Sequence, residues 1–304
     1  MRESVSALIL TGNDEANVGK CIKSLKPLTR NIYVVDAGST DRTREICRKW
    51  GAVVAERSWT TYAEQVNWGL SYFDFPSQWI MRIDPDEEVT AELAQSLTDF
   101  LEAPPEGVSG VCVRKRVYFL GRWIKHGGCH PRWSLRVFRK DVGRSDLHQV
   151  DGHIVLDHGK TVRLPADIVQ RSNSNLTVWT EQQNISAARE ALASIENCDG
   201  TDRLGGTTEG RVFGTQDQQR RWLRINVYDR CPLLLRAFVY FVYCYVVRLG
   251  FLDGREGLIF HFLAGFWYRF LVDAKISASQ QQAFRSSVGK TNGAQIVQFP
   301  LKQG

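Results

Sequence analysis

Residues 79–88 read Trp-Ile-Met-Arg-Ile-Asp-Pro-Asp-Glu-Glu, a mostly apolar run that passes directly into an acidic turn. A short run of this kind, apolar at 79, 80, 81 and 83, suits a β-strand covered on both faces. Such a strand delivers Asp84, Pro85 and Asp86 to its carboxyl end. Acidic residues ahead of a helix are ordinarily a solvated cap, because they complement the helix dipole. The buried strand before them, and the pattern upstream of it, point to a site instead.

Working upstream, Val5 to Leu10 is another apolar, β-prone run, and it ends in Thr-Gly-Asn. Ile32-Tyr33-Val34-Val35 is a third, closed by Asp36 and then Gly38-Ser39-Thr40-Asp41, and Val53-Val54-Ala55 is a fourth. Between them Ala16, Val18, Ile22 and Leu25 fall roughly at helical spacing. Arg44 to Trp50 continues as a helix that Ser39 or Thr40 can cap, with Asp41 as a routine capping residue, and Tyr62 to Tyr72 is a third helical stretch. Strands alternating with helices over the first hundred residues predict a parallel sheet with helices on both faces. Ligands in such sheets bind outside the carboxyl ends of the strands. Thr11, Asp36 and Asp84, each following a predicted strand, are therefore expected on one edge.

Downstream, short β-prone runs recur at 110–117, 134–138 and 161–164, with His126, His130, His148, His153 and His158 clustered between them. Residues 175–193 look helical, and 197–219 are polar and Gly-rich, as a linker or loop would be. Then Leu233 to Val247 and Leu258 to Leu271 are almost wholly apolar and aromatic. Neither reaches the ~20 uninterrupted apolar residues of a membrane span. Arg220, Arg221, Arg224, Arg230 and Arg248 flank the first run, and Tyr and Trp are abundant. That combination predicts a hairpin resting on a membrane surface, with an ordinary helical hairpin packed on the core as the alternative.

With 43% hydrophobic and 24% charged residues the 304-residue chain reads as globular. Its net charge of +6 suits an anionic partner: a nucleotide phosphate, an acidic lipid surface or a nucleic acid. No nucleic-acid recognition motif is visible, so no nucleic-acid partner is expected. Seven cysteines, scattered and never in a CxxC pair, argue against zinc or a disulfide framework and for reduced thiols in the cytosol. The apolar run at the N-terminus is a first strand rather than a signal peptide.

Taken in order, the segments VSALILTGNDEANVGKCIKSL (5–25), IYVVDAGSTDRTREIC (32–47), YAEQVNWGL (62–70), WIMRIDPDEEVTAEL (79–93), YFLGRWIKHGG (118–128), SLRVFRK (134–140) and RLGFLDGREGLIFHFLAGFWYRFLVDAKI (248–276) resemble a known family. The chain is similar to family 2 glycosyltransferases, inverting enzymes of the GT-A fold, and within them to bacterial lipopolysaccharide-core β-glucosyltransferases. The resemblance implies an α/β fold with a doubly wound, mostly parallel sheet and an apolar, amphipathic helical region at the C-terminus. It divides the chain into a GT-A domain over 1–195, with a nucleotide-sugar half (1–100) and an acceptor half (101–195). A loop over 196–219, a membrane-associated helical region over 220–290 and a tail over 291–304 follow.

The same resemblance assigns roles. Asp86 is the ligand for Mn2+ or Mg2+, and Asp84 touches the ribose, the metal or a metal-bound water. Hard oxygen ligands suit those ions, which neutralise a departing diphosphate. Thr11, Asn13, Glu15, Asp36, Gln65 and Asn67 are expected around the nucleotide. Many relatives carry a second Asp where this chain has Ala37. The general base that an inverting transfer needs is sought among Asp146, His148 and Asp151, with His148 first. An Asp usual before the SLRVFRK-like segment is replaced by His130-Pro131-Arg132-Trp133-Ser134, and a downstream Val-His-Glu by Leu147-His148-Gln149. Arg122, Lys125, His126 and Arg136 are candidates for a phosphate. Gln218-Gln219-Arg220-Arg221-Trp222 fits the QxxRW pattern of processive synthases, although the chain lacks their transmembrane helices. The expected partners are a nucleotide sugar, most simply a UDP-sugar, a glycan or lipid-linked acceptor, and the inner face of the cytoplasmic membrane. The competing expectations are a sugar-nucleotidyltransferase and a catalytically impaired relative. The first would ordinarily show an early basic, Gly-rich loop, which GNDEANVGK is not.

Overall fold

A computed structural model of the chain describes residues 4–147, 153–171, 175–196, 232 and 234–279. Its contacts define two compact units, Met1–Glu181 with Tyr243–His261, and Gln182–Val242 with Phe262–Gly304.

In the first unit β1 (Val5–Thr11), β2 (Ile32–Asp36), β3 (Val53–Glu56) and β4 (Trp79–Ile83) alternate with α1 (Val18–Leu25), α2 (Thr43–Lys49) and α3 (Tyr62–Tyr72). Next come β5 (Glu87–Val89), α4 (Ala91–Glu102), β6 (Val108–Phe119), β7 (Arg122–Ile124) and β8 (Arg132–Arg139). β9 (Gly143–Ser145) and β10 (Ile154–Leu156) form a small ribbon of their own, and β11 (Lys160–Arg171) returns to the main sheet. That sheet has the order β3-β2-β1-β4-β8-β6-β11-β5, with β7 paired to β6.

The layers follow from the sequence of β1, whose seven residues are all buried. Val5, Ala7 and Ile9 pack in one core with Val18, Cys21, Ile22 and Leu25 of α1 and Leu93 and Leu97 of α4. Leu8 and Leu10 pack in the other, with Val66 of α3, Phe73 and Phe75. Alternate residues of one strand thus feed both cores, as the pleat requires. Each fully buried Leu or Ile contributes about 1.5–3 kcal/mol relative to exposure, so the two-faced burial holds β1 at the centre. α3 lies close to the sheet at Gly69, where an added Cβ would come within 2.9 Å of Val35 Cγ2.

The expected parallel order holds where the sequence alternates strand and helix: β1 is parallel to both β2 and β4. Beyond β4 the sheet is mixed. β8 runs antiparallel to β4 and to β6, while β11 is parallel to β6 and antiparallel to β5. No long helix joins β6, β7 and β8, so the chain returns by short connections and the pairing there is antiparallel.

Thr61 caps α3 and Thr90 caps α4, each hydroxyl accepting from the backbone N–H three residues on (3.2 Å in both). At α2 the routine cap expected of Asp41 is the one that forms. Asp41, rather than Ser39 or Thr40, serves its first turn, accepting from the Thr43 N–H (3.0 Å) and hydroxyl (2.5 Å). Ser39 is drawn instead to Asp36.

Within the 220–290 stretch expected to be helical, Tyr243–His261 falls in the unit that holds the sheet. The reason is a set of polar contacts to residues near β7. Asp253 accepts from the N–H groups of Lys125 (3.1 Å) and His126 (2.8 Å), and the Gly127 N–H donates to the Arg248 carbonyl (2.9 Å).

In the second unit Ala187 and Ala191, on α5 (Leu176–Glu196), pack with Val272 and Ile276. Tyr268 donates to Glu190 (2.6 Å), and fully buried Asp273 takes a fork from Arg236, Nε lying 2.9 and 2.8 Å from its two oxygens. Among the described residues no single helix is long and apolar enough to cross a membrane, although the bent pair Leu235–Val247 and Gly250–Ser279 has the length and composition together.

Candidate active site

Parallel β1, β2 and β4 bring Thr11, Asp36 and Asp84 to one edge of the sheet. There Thr11 Oγ1 donates to Asp36 Oδ1 (2.9 Å). Asp36 is fully buried and also accepts from the Ser39 hydroxyl (2.5 Å) and from the N–H groups of Ser39 (2.8 Å) and Gly38 (3.1 Å). The two turns are laced together across this edge. Asn13 Oδ1 accepts from the Thr40 N–H (2.8 Å), its own N–H donates to Ser39 Oγ (2.9 Å), and Glu15 accepts from the Arg42 N–H (3.0 Å). Thr11, Asn13, Glu15 and Asp36 therefore stand together, and their polar atoms build the floor and rim of the edge.

Gln65 and Asn67 lie on α3 but face different neighbours. The Gln65 amide donates to the carbonyls of Ser58 (2.8 Å) and Arg57 (3.3 Å), and its Oε1 is buried without a partner among the described residues. Asn67 exchanges two hydrogen bonds with the Ser145 backbone, 2.9 and 2.8 Å, fastening α3 to β9. Both amides are engaged by the fold's own backbone.

The acidic triplet sits among cations and donors. Asp84 Oδ1 accepts from Tyr62 Oη (2.7 Å) and Arg82 Nη2 (2.5 Å), and Oδ2 lies 3.4 Å from Arg136 Nη2. Asp86 Oδ2 accepts from the Gln170 amide (2.7 Å), and Oδ1 carries no hydrogen bond among the described residues. Burial pushes the Asp86 carboxyl upward, and the neighbouring charge on Asp84 adds to the rise while Lys115 opposes it. Beside it, a shallow groove is lined by Asn17, Lys20, Pro85, Asp86, Glu88 and Arg171. Asp14, across the edge, is raised to about 6, chiefly by burial and then by the charges of Asp41, Asp84 and Asp36.

Beneath the triplet lies Glu87, which the sequence left unassigned. It is fully buried, accepts from Lys115 Nζ (2.8 Å) and Arg136 Nη2 (2.6 Å), and takes the Asp84 N–H on its second oxygen (3.0 Å). Burial drives its carboxyl upward and the Lys115 charge opposes this. Burial alone would lower Lys115, but the carboxylates of Glu87, Asp84 and Asp86 outweigh it and raise it. Arg136, expected to meet a phosphate, is buried in this support and not presented outward. The signal available in the sequence was a run of charge inside a strand, Arg114-Lys115-Arg116, whose partners are distant in the chain.

Of the base candidates, Asp146 follows β9, its N–H donating to the His153 carbonyl (2.9 Å). His148 and Asp151 lie outside the described residues, as do the 197–219 loop and the Gln218–Trp222 pattern.

A divalent cation is implied by the resemblance, and the donor chemistry bears on it. Among the described residues no group of three or more His, Cys, Asp or Glu is placed to hold a metal. The protein offers the unbonded Oδ1 of Asp86, with Asp84 nearby and already hydrogen-bonded on both oxygens. Magnesium and, by the same hard-oxygen chemistry, manganese are commonly bound by one or two carboxylates plus substrate phosphates and waters. The sparse set fits that mode.

Residues 6–156 match the family model for Glycosyl transferase family 2. The chain is 34% identical over 150 residues to the lipopolysaccharide core biosynthesis glycosyltransferase LpsC of Rhizobium meliloti, covering 48% of this chain and 54% of that protein. It is 36% identical over 97 residues to an uncharacterized glycosyltransferase of Rickettsia conorii, covering 32% of this chain and 34% of that one. The chain thus spans about half, or less, of the curated relatives it matches. Among solved structures, the mannosyltransferase PcManGT of Pyrobaculum calidifontis, in complex with GDP-Man and Mn2+, aligns with TM-score 0.50 and 15% identity over 91% of this chain and 87% of that one. The fold they share is GT-A.

Proposed function

We propose that this chain, which belongs to glycosyl transferase family 2 through residues 6–156, transfers a hexose from a nucleotide-diphosphate sugar with inversion. The donor is a UDP-sugar. The acceptor is a growing glycan or lipid-linked sugar of bacterial cell-surface polysaccharide or lipopolysaccharide. The observation that carries this reading is Asp86, with one carboxylate oxygen unbonded among the described residues, at the end of a strand edge whose neighbouring turns are already locked. The similarity to LpsC supports the acceptor class.

In this reading Asp86 would hold Mn2+ or Mg2+, and Asp84, fixed by Tyr62 and Arg82, would meet the ribose or a water on that ion. The bound cation would supply Lewis-acid neutralisation of charge developing on the leaving diphosphate. Lys20 and Arg171, which line the groove beside Asp86, are positioned to receive phosphate oxygens. The laced turns at Thr11–Glu15 and Asp36–Arg42 form the wall for base and ribose, and because they are preorganised, less ordering free energy is lost on binding.

The test is a thermal-shift series with UDP-glucose, UDP-galactose and UDP-N-acetylglucosamine, each with and without Mn2+. A donor at a hundred times its dissociation constant should stabilise the chain by about 2.7 kcal/mol, and only when the metal is present. No shift with any of them, and no release of UDP, would remove the reading.

We also place the chain on the inner face of the cytoplasmic membrane. Val246, Val247, Leu249, Phe251 and Leu252 are exposed in one short segment around Arg248. A contiguous apolar patch beside a cation suits the boundary of an anionic bilayer. Co-sedimentation with phosphatidylglycerol vesicles should fall several-fold on Phe251→Ser with Leu252→Ser. Binding unchanged by that pair, or none at the start, would overturn the placement.

A further inference from the structure

His126 and Asp253 form a pair that the proposed function leaves unused. Asp253 is buried, and its carboxylate accepts from His126 Nδ1 (2.7 Å) and from the N–H groups of Lys125 and His126. A carboxylate can only accept here, so the imidazole proton sits on Nδ1 and the lone pair of Nε2 is turned away from Asp253. The His126 side chain keeps 34% of its surface exposed against 4% for Asp253.

The loop that carries this ring is pinned from behind. The Gly127 N–H is held by the Arg248 carbonyl (2.9 Å). Gly127 itself, at φ +67°, packs on buried His261 so closely that an added Cβ would lie 2.0 Å from His261 Cε1. Five contacts on a short loop, all to residues more than a hundred positions away, fix the direction of one imidazole. Register places that loop on the ligand edge. β8 runs antiparallel to β4 with Trp79 opposite Arg139, so its Arg132 end projects past the carboxyl end of β4. β6 pairs Lys115 with Arg132 and continues further in the same direction before β7 and the His126 loop. Arg136 and Lys115, on those two strands, contact the acidic site itself.

We infer that His126 is the general base of the transfer and that Asp253 is its positioning residue. Resting on the glycosyl-transfer reading, the step runs as follows. The acceptor hydroxyl gives its proton to His126 Nε2 while its oxygen bonds to the anomeric carbon. The bond from that carbon to the diphosphate oxygen breaks, and the electron pair leaves with the nucleotide. Asp253 holds the tautomer and balances the imidazolium. The other charged groups around this loop are Lys125, Arg122 with Glu256 (3.5 Å), and Arg248 beside Gly128.

The experiment measures UDP release, with water as acceptor, from whichever of the three UDP-sugars turns over fastest with Mn2+, as a function of pH. Wild type should lose activity on the acid side as the imidazole protonates. His126→Gln should lose about 10²–10⁴-fold in kcat and lose the acid limb, while its KM and its thermal shift with UDP stay near wild type. Asp253→Asn should lose less, in kcat with KM near wild type, a split that a merely structural role would not produce. A His126→Gln chain that binds UDP, turns over normally and keeps the limb overturns the assignment, as does transfer of that phenotype to His148→Gln. A His126→Gln chain that no longer shifts with UDP counts against it, because the residue would then serve folding or donor binding. Wild type that releases no UDP from any donor instead brings down the glycosyl-transfer reading on which the inference rests.

Discussion

Asp86→Asn is expected to lower turnover by roughly a thousandfold while leaving the fold intact. Removing the charge of a carboxylate that lines the groove forfeits several kcal/mol of charge stabilisation on the leaving group, and each 1.36 kcal/mol is a tenfold change in rate. The stability side has the opposite tendency. The Asp86 carboxyl is pushed upward by burial, so its charge opposes folding near neutral pH, and a neutral Asn that still accepts from Gln170 relieves that. The expected pair of results is therefore UDP release near background with a melting temperature equal to or above wild type. The Mn2+-dependent part of the donor-induced shift should vanish as well. Turnover retained in Asp86→Asn would refute the metal role and would force a search for the ligand elsewhere.

Glu87→Leu should have the largest effect on stability. Glu87 is the shared acceptor of Lys115 and Arg136, two cations with only 17% and 5% of their side chains exposed. Removing one partner of a buried pair leaves uncompensated charge and typically costs about 3–5 kcal/mol. Here two cations would be stranded, and the Asp84 N–H would lose its acceptor as well. A urea titration should show the midpoint falling at unchanged slope. The triplet would lose its support at the same time, so any folded fraction should bind UDP poorly. A loss under about 1 kcal/mol, the ordinary scale of a surface pair, would mean that Glu87 does not anchor the site.

The sequence made much of the first half legible because its signals are local. Strands β1, β2 and β4 are apolar runs bounded by turn residues, and the α1 stripe of Val18, Cys21, Ile22 and Leu25 repeats at helical spacing. The second half was less legible. Arg114, Lys115 and Arg116 fall in a run read only as β-prone, and their partners, Glu87 and Asp167, are known only from the fold. Asn67 resembled a nucleotide contact from its motif, yet it meets Ser145, whose place against α3 depends on where β9 folds. Of the residues offered as caps for α2, Asp41 serves and Ser39 does not, because Ser39 has a stronger partner in Asp36.

By itself the sequence determined the parallel half of the sheet, the family it resembles and the placing of Asp84 and Asp86 at the end of a buried strand. Continuous apolar runs and strand–helix alternation are properties of consecutive residues, so they can be read without coordinates. Only the tertiary structure decided which carboxylate oxygen at that strand end stays unbonded among the described residues, what holds the triplet from below and that a buried carboxylate aims His126. Those depend on contacts such as Glu87 with Arg136 and His126 with Asp253, 49 and 127 residues apart in sequence. Nothing in the local pattern of either segment encodes the separation, because it is the closing of the sheet and the return of Tyr243–His261 that bring them together.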